Sequence, residues 1–406
     1  MENILYETLA LFAGFILLYS IFAGGVERTW VSGPIVFVAY GLVIGPVGLN
    51  LVPFDTERET LATLAEMTLA LVLFIDAAGA DFKVLRRTAG LPVRLLLIGL
   101  PLTIALGYLV GVWLSVTLSL LEIALMATML APTDAALGKA VVSNKAVPAD
   151  VRQSLNVESG LNDGICVPVL FVFLELAMRS RGDEETWQLA VGLVAEEIGI
   201  GLLVGVVLTA IAVQALKYAR RREWLSDTWA QVPVIGLALT CFATAQLLGG
   251  SGFIAAFLGG LLFGALLPNE RHKLLEAAEG TGDVFALLTW VIFGIAVAGQ
   301  AVGNFEWQML VYALLSLTVI RMLPVFLSLT GTGLSAETKL FMGWFGPRGL
   351  ASIVFAIIVL NAGVPNSGKL ALVVSYTVIF SIIGHGITAN PWAKAFGARA
   401  QQARDS

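Results

Sequence analysis

Charge is scarce in this chain: Asp, Glu, Lys and Arg make up 13% of its 406 residues, about half the share of an ordinary soluble domain. That scarcity excludes a soluble enzyme. Cysteine is nearly absent, and the two that occur, Cys166 and Cys241, lie inside apolar segments, which excludes a disulfide framework or a cysteine-rich metal centre. Segments alternating apolar and polar residues over about ten positions are missing, so a transmembrane β-barrel is excluded as well. The opening Met1-Glu2-Asn3 carries no basic residue, so the first apolar segment is expected to be a retained span and not a cleaved signal.

What is abundant is apolar. Hydrophobic residues reach 58%, and stretches such as 95–121, 198–216 and 228–269 contain no Asp, Glu, Lys or Arg. A helix needs about 20 such residues to cross a bilayer. The expected fold class is therefore an all-α polytopic membrane protein of about thirteen transmembrane helices in one domain over residues 1–406. Spans are expected to begin near Ile4, Thr29, Leu61, Gly90, Ser119, Asp150, Thr186, Thr228, Ser251, Gly280, Trp307, Ala336 and Asn366.

An odd number of spans puts the termini on opposite sides. With the amino terminus outside, the loops carrying Lys83, Arg86 and Arg87, then Lys145 and Arg152, then Lys217, Arg220, Arg221 and Arg222 face the cytoplasm. So do Arg271, Lys273, Lys394, Arg399 and Arg404. Only Arg58, Arg179, Arg181 and Lys369 remain outside, an excess of inner positive charge that supports this orientation and a cell (inner or plasma) membrane location. Nothing points to nucleic acid.

Two segments are interrupted in mid-run. Ala131-Pro132-Thr133-Asp134 puts a proline and two polar residues inside the fifth span, and Gly343-Trp344-Phe345-Gly346-Pro347-Arg348-Gly349 does the same in the twelfth. Each is the fifth span of its half, counting from the first and from the eighth. An odd seventh span would invert the halves, giving approximate repeats over 1–180 and 224–392 with a short tail, 393–406. Two ordinary proline kinks would leave the same local pattern. Matched breaks that each carry a charge favour the secondary-transporter architecture.

Charges inside a bilayer are costly unless paired or wet. The sixth span carries Glu158-Ser159-Gly160-Leu161-Asn162-Asp163, and at 100° per residue Glu158 and Asp163 stand about 140° apart, so they face different neighbours. Asn162 and Asp163, with Thr133 and Asp134 from the broken fifth span, offer carboxylate, amide, hydroxyl and carbonyl oxygens suited to a small hard cation. A protonated core carboxyl is the alternative for Asp163. Asp134 and Arg348 are placed to offset the opposite partial charges of half-helix ends. Glu158 is expected to form a structural ion pair with Arg348. Asp76 and Arg321, also in or near spans, either pair with each other or line an access funnel.

The run from Ala131 to Gly164, APTDAALGKAVVSNKAVPADVRQSLNVESGLNDG, together with FGPRGLASIVFA (Phe345 to Ala356) and LVLFIDAAGADFKVLRR (Leu71 to Arg87), resembles the monovalent cation/proton antiporter family, in its electroneutral sodium/proton exchanger branch. The resemblance implies that Asp163 binds the ion and carries the proton, preceded by Asn162 as in the electroneutral branch. It implies an unwound crossing at Thr133 and Asp134, a serine near the ion at Ser159, a stabilising Glu158 and Arg348 pair, and a homodimer. Ala135 stands where many members have a proline, and regulation by a long carboxyl-terminal domain is not expected.

Function is then expected to be exchange of Na+, alternatively Li+ or K+, for H+ at one carboxylate, one for one and without net charge. The transported ions are substrates, and no cofactor is implied. A cation channel on the same scaffold is one rival. Another is an intramembrane serine protease, since Gly249-Gly250-Ser251-Gly252 reads as GxSG and His385 follows in a later span. It leaves the ESGLND and GPRG strings without a role.

Overall fold

A computed structural model describes residues 2–26, 33–52, 54–80, 90–114, 117–134, 137–142, 144–179, 184–226, 229–298 and 305–405. Regular structure among these residues is entirely helical. Apolar runs without internal partners in lipid must close their backbone hydrogen bonds within each segment, which leaves the helix as the local solution. The principal helices are α1 (Glu2–Val26), α2 (Gly33–Ile44), α3 (Phe54–Gly79), α4 (Leu91–Trp113), α5 (Leu120–Met129), α6 (Ala149–Arg179) and α7 (Glu184–Arg221). They continue as α8 (Pro233–Leu247), α9 (Gly252–Leu266), α10 (Arg271–Phe293), α11 (Trp307–Ser328), α12 (Ala336–Trp344), α13 (Leu350–Asn361) and α14 (Ser367–Asp405).

Among the described residues, eight helices are long and apolar enough to cross a membrane, and α2, α5, α8, α9 and α13 are shorter apolar helices of 10–17 residues. The class expected from composition is thus the class observed. Lys83, Arg86, Arg87, Arg181 and Ala135 lie outside the described residues.

Helix starts follow capping chemistry. Ser119 accepts a hydrogen bond from the amide of Glu122 (3.3 Å) while Glu122 accepts one from the amide of Ser119 (2.7 Å), a reciprocal cap on α5. Ser335 caps α12 in the same position by accepting from the Thr338 amide. Packing around the interior is close: α9 lies against α3 so tightly that a Cβ on Gly260 or Gly264 would strike the carbonyl oxygens of Phe74 or Ala78. Small residues at such crossings replace the hydrophobic drive that lipid does not supply. α1 is peripheral, with Leu17, Ile21 and Phe22 exposed, whereas Ile353, Val354, Phe355 and Ile357 of α13 are buried at the centre.

Candidate ion-binding site

Both expected breaks are real interruptions. α5 ends at Met129 and the chain runs without helix through Pro132, Thr133 and Asp134; α12 ends at Trp344 and helix resumes only at Leu350. Proline and glycine remove donors and side chains from these stretches, and the orphaned backbone groups need partners.

The two breaks supply each other. The Arg348 guanidinium donates through Nη1 to the carbonyls of Ala131 and, at 2.8 Å, of Pro132, at the C-terminal end of α5. Asp134 Oδ2 accepts from the Leu350 amide (2.9 Å) at the first turn of α13, and the Asp134 amide donates to the Pro347 carbonyl (2.8 Å). A cation thus meets the negative end of one half-helix and a carboxylate the positive end of the other. Gly349 is required here because a Cβ would collide with the Asp134 carboxylate.

α6 passes behind the crossing. Its Ser159 hydroxyl donates to the Thr133 carbonyl (2.5 Å), and the Asn162 amide nitrogen donates to the Thr133 hydroxyl (2.7 Å). Asp163 is 93% buried, counting from its 7% exposure, and its Oδ1 has no hydrogen-bond partner; the Asn162 Oδ1 is likewise unpartnered. Buried oxygens in that condition are costly unless something binds them. Asp163 opens onto a cavity of about 130 Å³ that is also lined by Asp76, Thr133, Asp134, Ser159, Glu279 and Asp283. Such a set of carboxylate, hydroxyl and carbonyl oxygens fits a hard monovalent cation as cargo.

The ion pairing differs from the sequence expectation. Glu158 is held by Arg321 of α11, not by Arg348, through two parallel bonds of 2.6 and 2.8 Å with both side chains 1% exposed. Arg348 is committed to the α5 carbonyls, which an isolated reading of charges overlooks because a helix end attracts a cation as a carboxylate does. Asp76 and Arg321 therefore do not pair with each other: Asp76 lines the cavity and Arg321 serves Glu158. Glu279 and Asp283, exposed on α10 at the cavity wall, were not singled out by sequence. Their spacing of four, which puts both carboxylates on one face of α10 just before its apolar half, was the available signal.

The protease constellation is not assembled. Ser251 caps α9, accepting from the Ile254 amide, and its own amide donates to the Glu197 carbonyl. His385 instead binds backbone at the end of α12 and at Ser381.

Fold and site together define a polytopic membrane protein in which two interrupted helices meet beside a buried cavity. The transmembrane sodium/hydrogen exchanger family matches residues 12–395, and the chain belongs to that family. Among similar proteins, the K(+)/H(+) antiporter NhaP2 of Shewanella oneidensis is 24% identical over 361 residues, covering 89% of this chain and 62% of the relative. The Na(+)/H(+) antiporter 2 of Zygosaccharomyces rouxii is 26% identical over 382 residues, covering 87% of this chain and 46% of the relative. The chain thus spans less than two thirds of the length of these relatives. The sodium proton antiporter MjNhaP1 of Methanocaldococcus jannaschii superposes with a TM-score of 0.79 at 21% identity, covering 95% of this chain and 99% of the other, so the two share a fold.

Proposed function

We propose that this chain exchanges a monovalent cation for protons across a cell membrane, with Asp163 binding either one cation or one proton at a time. The observation that carries this reading is the buried Asp163 carboxylate, one oxygen of which has no hydrogen-bond partner, in the wall of a cavity that Asp76, Thr133, Asp134 and Ser159 also line beside the two helix breaks. Thr133, Asp134, Ser159 and Asn162 surround that carboxylate as ligands or as their supports. Family membership and the antiporter relatives support the same assignment.

Coupling needs no more than competition. A loaded carboxylate, bearing Na+ or H+, is neutral and crosses between the two faces by alternating access; the bare carboxylate is charged and stays. Each cycle swaps one cation for another, so exchange is electroneutral. Asn162, an amide, adds no second proton site. Na+ is the favoured substrate, with Li+ and K+ as alternatives, K+ being supported by the names of several relatives. The functional unit is a homodimer with the amino terminus outside and the carboxyl terminus in the cytoplasm. The two broken helices belong to inverted repeats covering about 1–180 and 224–392.

PH-gradient dissipation in proteoliposomes on adding Na+, Li+ or K+ tests this, with Asp163→Ala as control. Cation-dependent dissipation that disappears in the variant supports the reading and identifies the ion. Dissipation surviving in Asp163→Ala, or none in folded wild type, rejects it. A channel on the same scaffold would pass cations without proton competition.

A further inference from the structure

We propose that His385, with Ser381 one turn before it on α14, is a positioning residue that clamps both ends of the extended segment 345–349 and thereby fixes the crossing beside Asp163; its effect on transport rests on the antiport reading above. His385 is 3% exposed and Ser381 fully buried. The imidazole Nε2 lies 2.8 Å from the carbonyl oxygen of Trp344, the last residue of α12. A carbonyl only accepts, so Nε2 carries the hydrogen. At the other end of the segment, the Arg348 amide donates to Ser381 Oγ at 2.7 Å.

Nδ1 closes the link. It faces the Ser381 hydroxyl at 3.3 Å and the Ser381 carbonyl at 2.8 Å. Each ring nitrogen thus has a backbone carbonyl at 2.8 Å, that of Trp344 at Nε2 and that of Ser381 at Nδ1, so the imidazole bridges the end of α12 to the backbone of α14. Two bonds to α14 therefore hold the segment, one at each end: the Arg348 N–H donates to Ser381 Oγ, and the His385 imidazole donates to the Trp344 carbonyl. The ring is held in place by Trp344, whose ring centroid lies 5.1 Å away and whose indole N–H donates to the Thr388 hydroxyl at 2.9 Å.

This matters for the ion site because segment 345–349 has no helix of its own to fix it. One side of the segment is anchored to α14 by these two bonds; the other meets Asp134 through the Pro347 carbonyl and carries Arg348 onto the α5 carbonyls. Releasing the α14 side frees the frame that orients Thr133 and Asp134. A ring that merely filled space would be replaceable by any apolar residue of its size.

The test compares wild type with His385→Leu, His385→Gln, Ser381→Ala and the Ser381→Ala/His385→Leu double variant in the proteoliposome flux assay, with amide hydrogen exchange of 345–350 measured in parallel. His385→Leu should lower maximal flux about tenfold, whereas His385→Gln, whose amide N–H can reach the Trp344 carbonyl, should recover to within about threefold. The Ser381→Ala/His385→Leu double variant, which releases both ends of the segment, should exchange faster over 345–350 than either single variant. Exchange over 345–350 should quicken in His385→Leu and Ser381→Ala and stay near wild type in His385→Gln. If His385→Leu fails to fold, Ser381→Ala against wild type carries the same exchange comparison. Equal behaviour of the Leu and Gln variants, or unchanged exchange, would overturn the proposal. Absence of cation-dependent flux in wild type would instead defeat the antiport reading, and the exchange data would still decide the clamp.

Discussion

Single residues in this site divide by whether their oxygens and charges are satisfied. Glu158 and Arg321 satisfy each other fully on the carboxylate side, at 2.6 and 2.8 Å, so they act as structure. Breaking a buried pair from one side leaves a lone charge, and Glu158→Gln or Arg321→Met is each expected to destabilise the protein by about 3–5 kcal/mol. The double variant Glu158→Gln/Arg321→Met should lose much less, as a double-mutant thermal-unfolding cycle in detergent will measure. Asp163, with its unpartnered oxygen, is the opposite case and its substitution should spare stability while removing transport. Glu279 and Asp283 stand at the exposed cavity wall, where carboxylates concentrate cations before binding. Glu279→Gln/Asp283→Asn is expected to raise the half-saturating cation concentration about two- to fivefold at low ionic strength with maximal rate unchanged, and to lose that effect at high salt. The residues of the candidate site were legible in sequence because Thr133, Asp134, Ser159, Asn162 and Asp163 sit in two short strings. The partner of Glu158 was not, because 163 positions separate it from Arg321 and a second arginine offered an equal charge.

At the scale of elements, the crossing of the two broken helices is the working part, and its chemistry is reciprocal. α5 ends on Arg348 and α13 begins on Asp134, so each half-helix is completed by the other's side chain. Gly349→Ala should force the Asp134 carboxylate off the α13 amide and reduce flux to about a tenth or less, with protein still inserted, as flux assays on variants of matched expression will show. The breaks themselves were readable, since proline and glycine in the middle of apolar runs admit few other outcomes. The lateral arrangement was not: which helix ends meet, and that Arg348 serves carbonyls where a carboxylate was expected, follows from packing among α5, α6, α11 and α13, which no local pattern encodes. His385 shows the same limit. As a lone histidine in an apolar span it suggested a dyad with Ser251, whereas its hydrogen bonds go to Trp344 and Ser381.

For the whole molecule, low charge and long apolar runs were enough to specify an all-helical membrane protein, and the family match over residues 12–395 agrees with that class. Among the described residues eight helices are long and apolar enough to cross a membrane and others are shorter, two of the shorter ones, α5 and α13, bordering the interrupted segments. The central functional claim is that proton and cation compete for one carboxylate. The most direct test is the half-saturating cation concentration of wild-type flux measured across a range of pH. Competition at Asp163 predicts that, in the acid range where the site is largely protonated, this concentration rises about tenfold for each unit of falling pH, while maximal rate at saturating cation stays constant. A half-saturating concentration independent of pH, with protons lowering the maximal rate instead, would contradict the account.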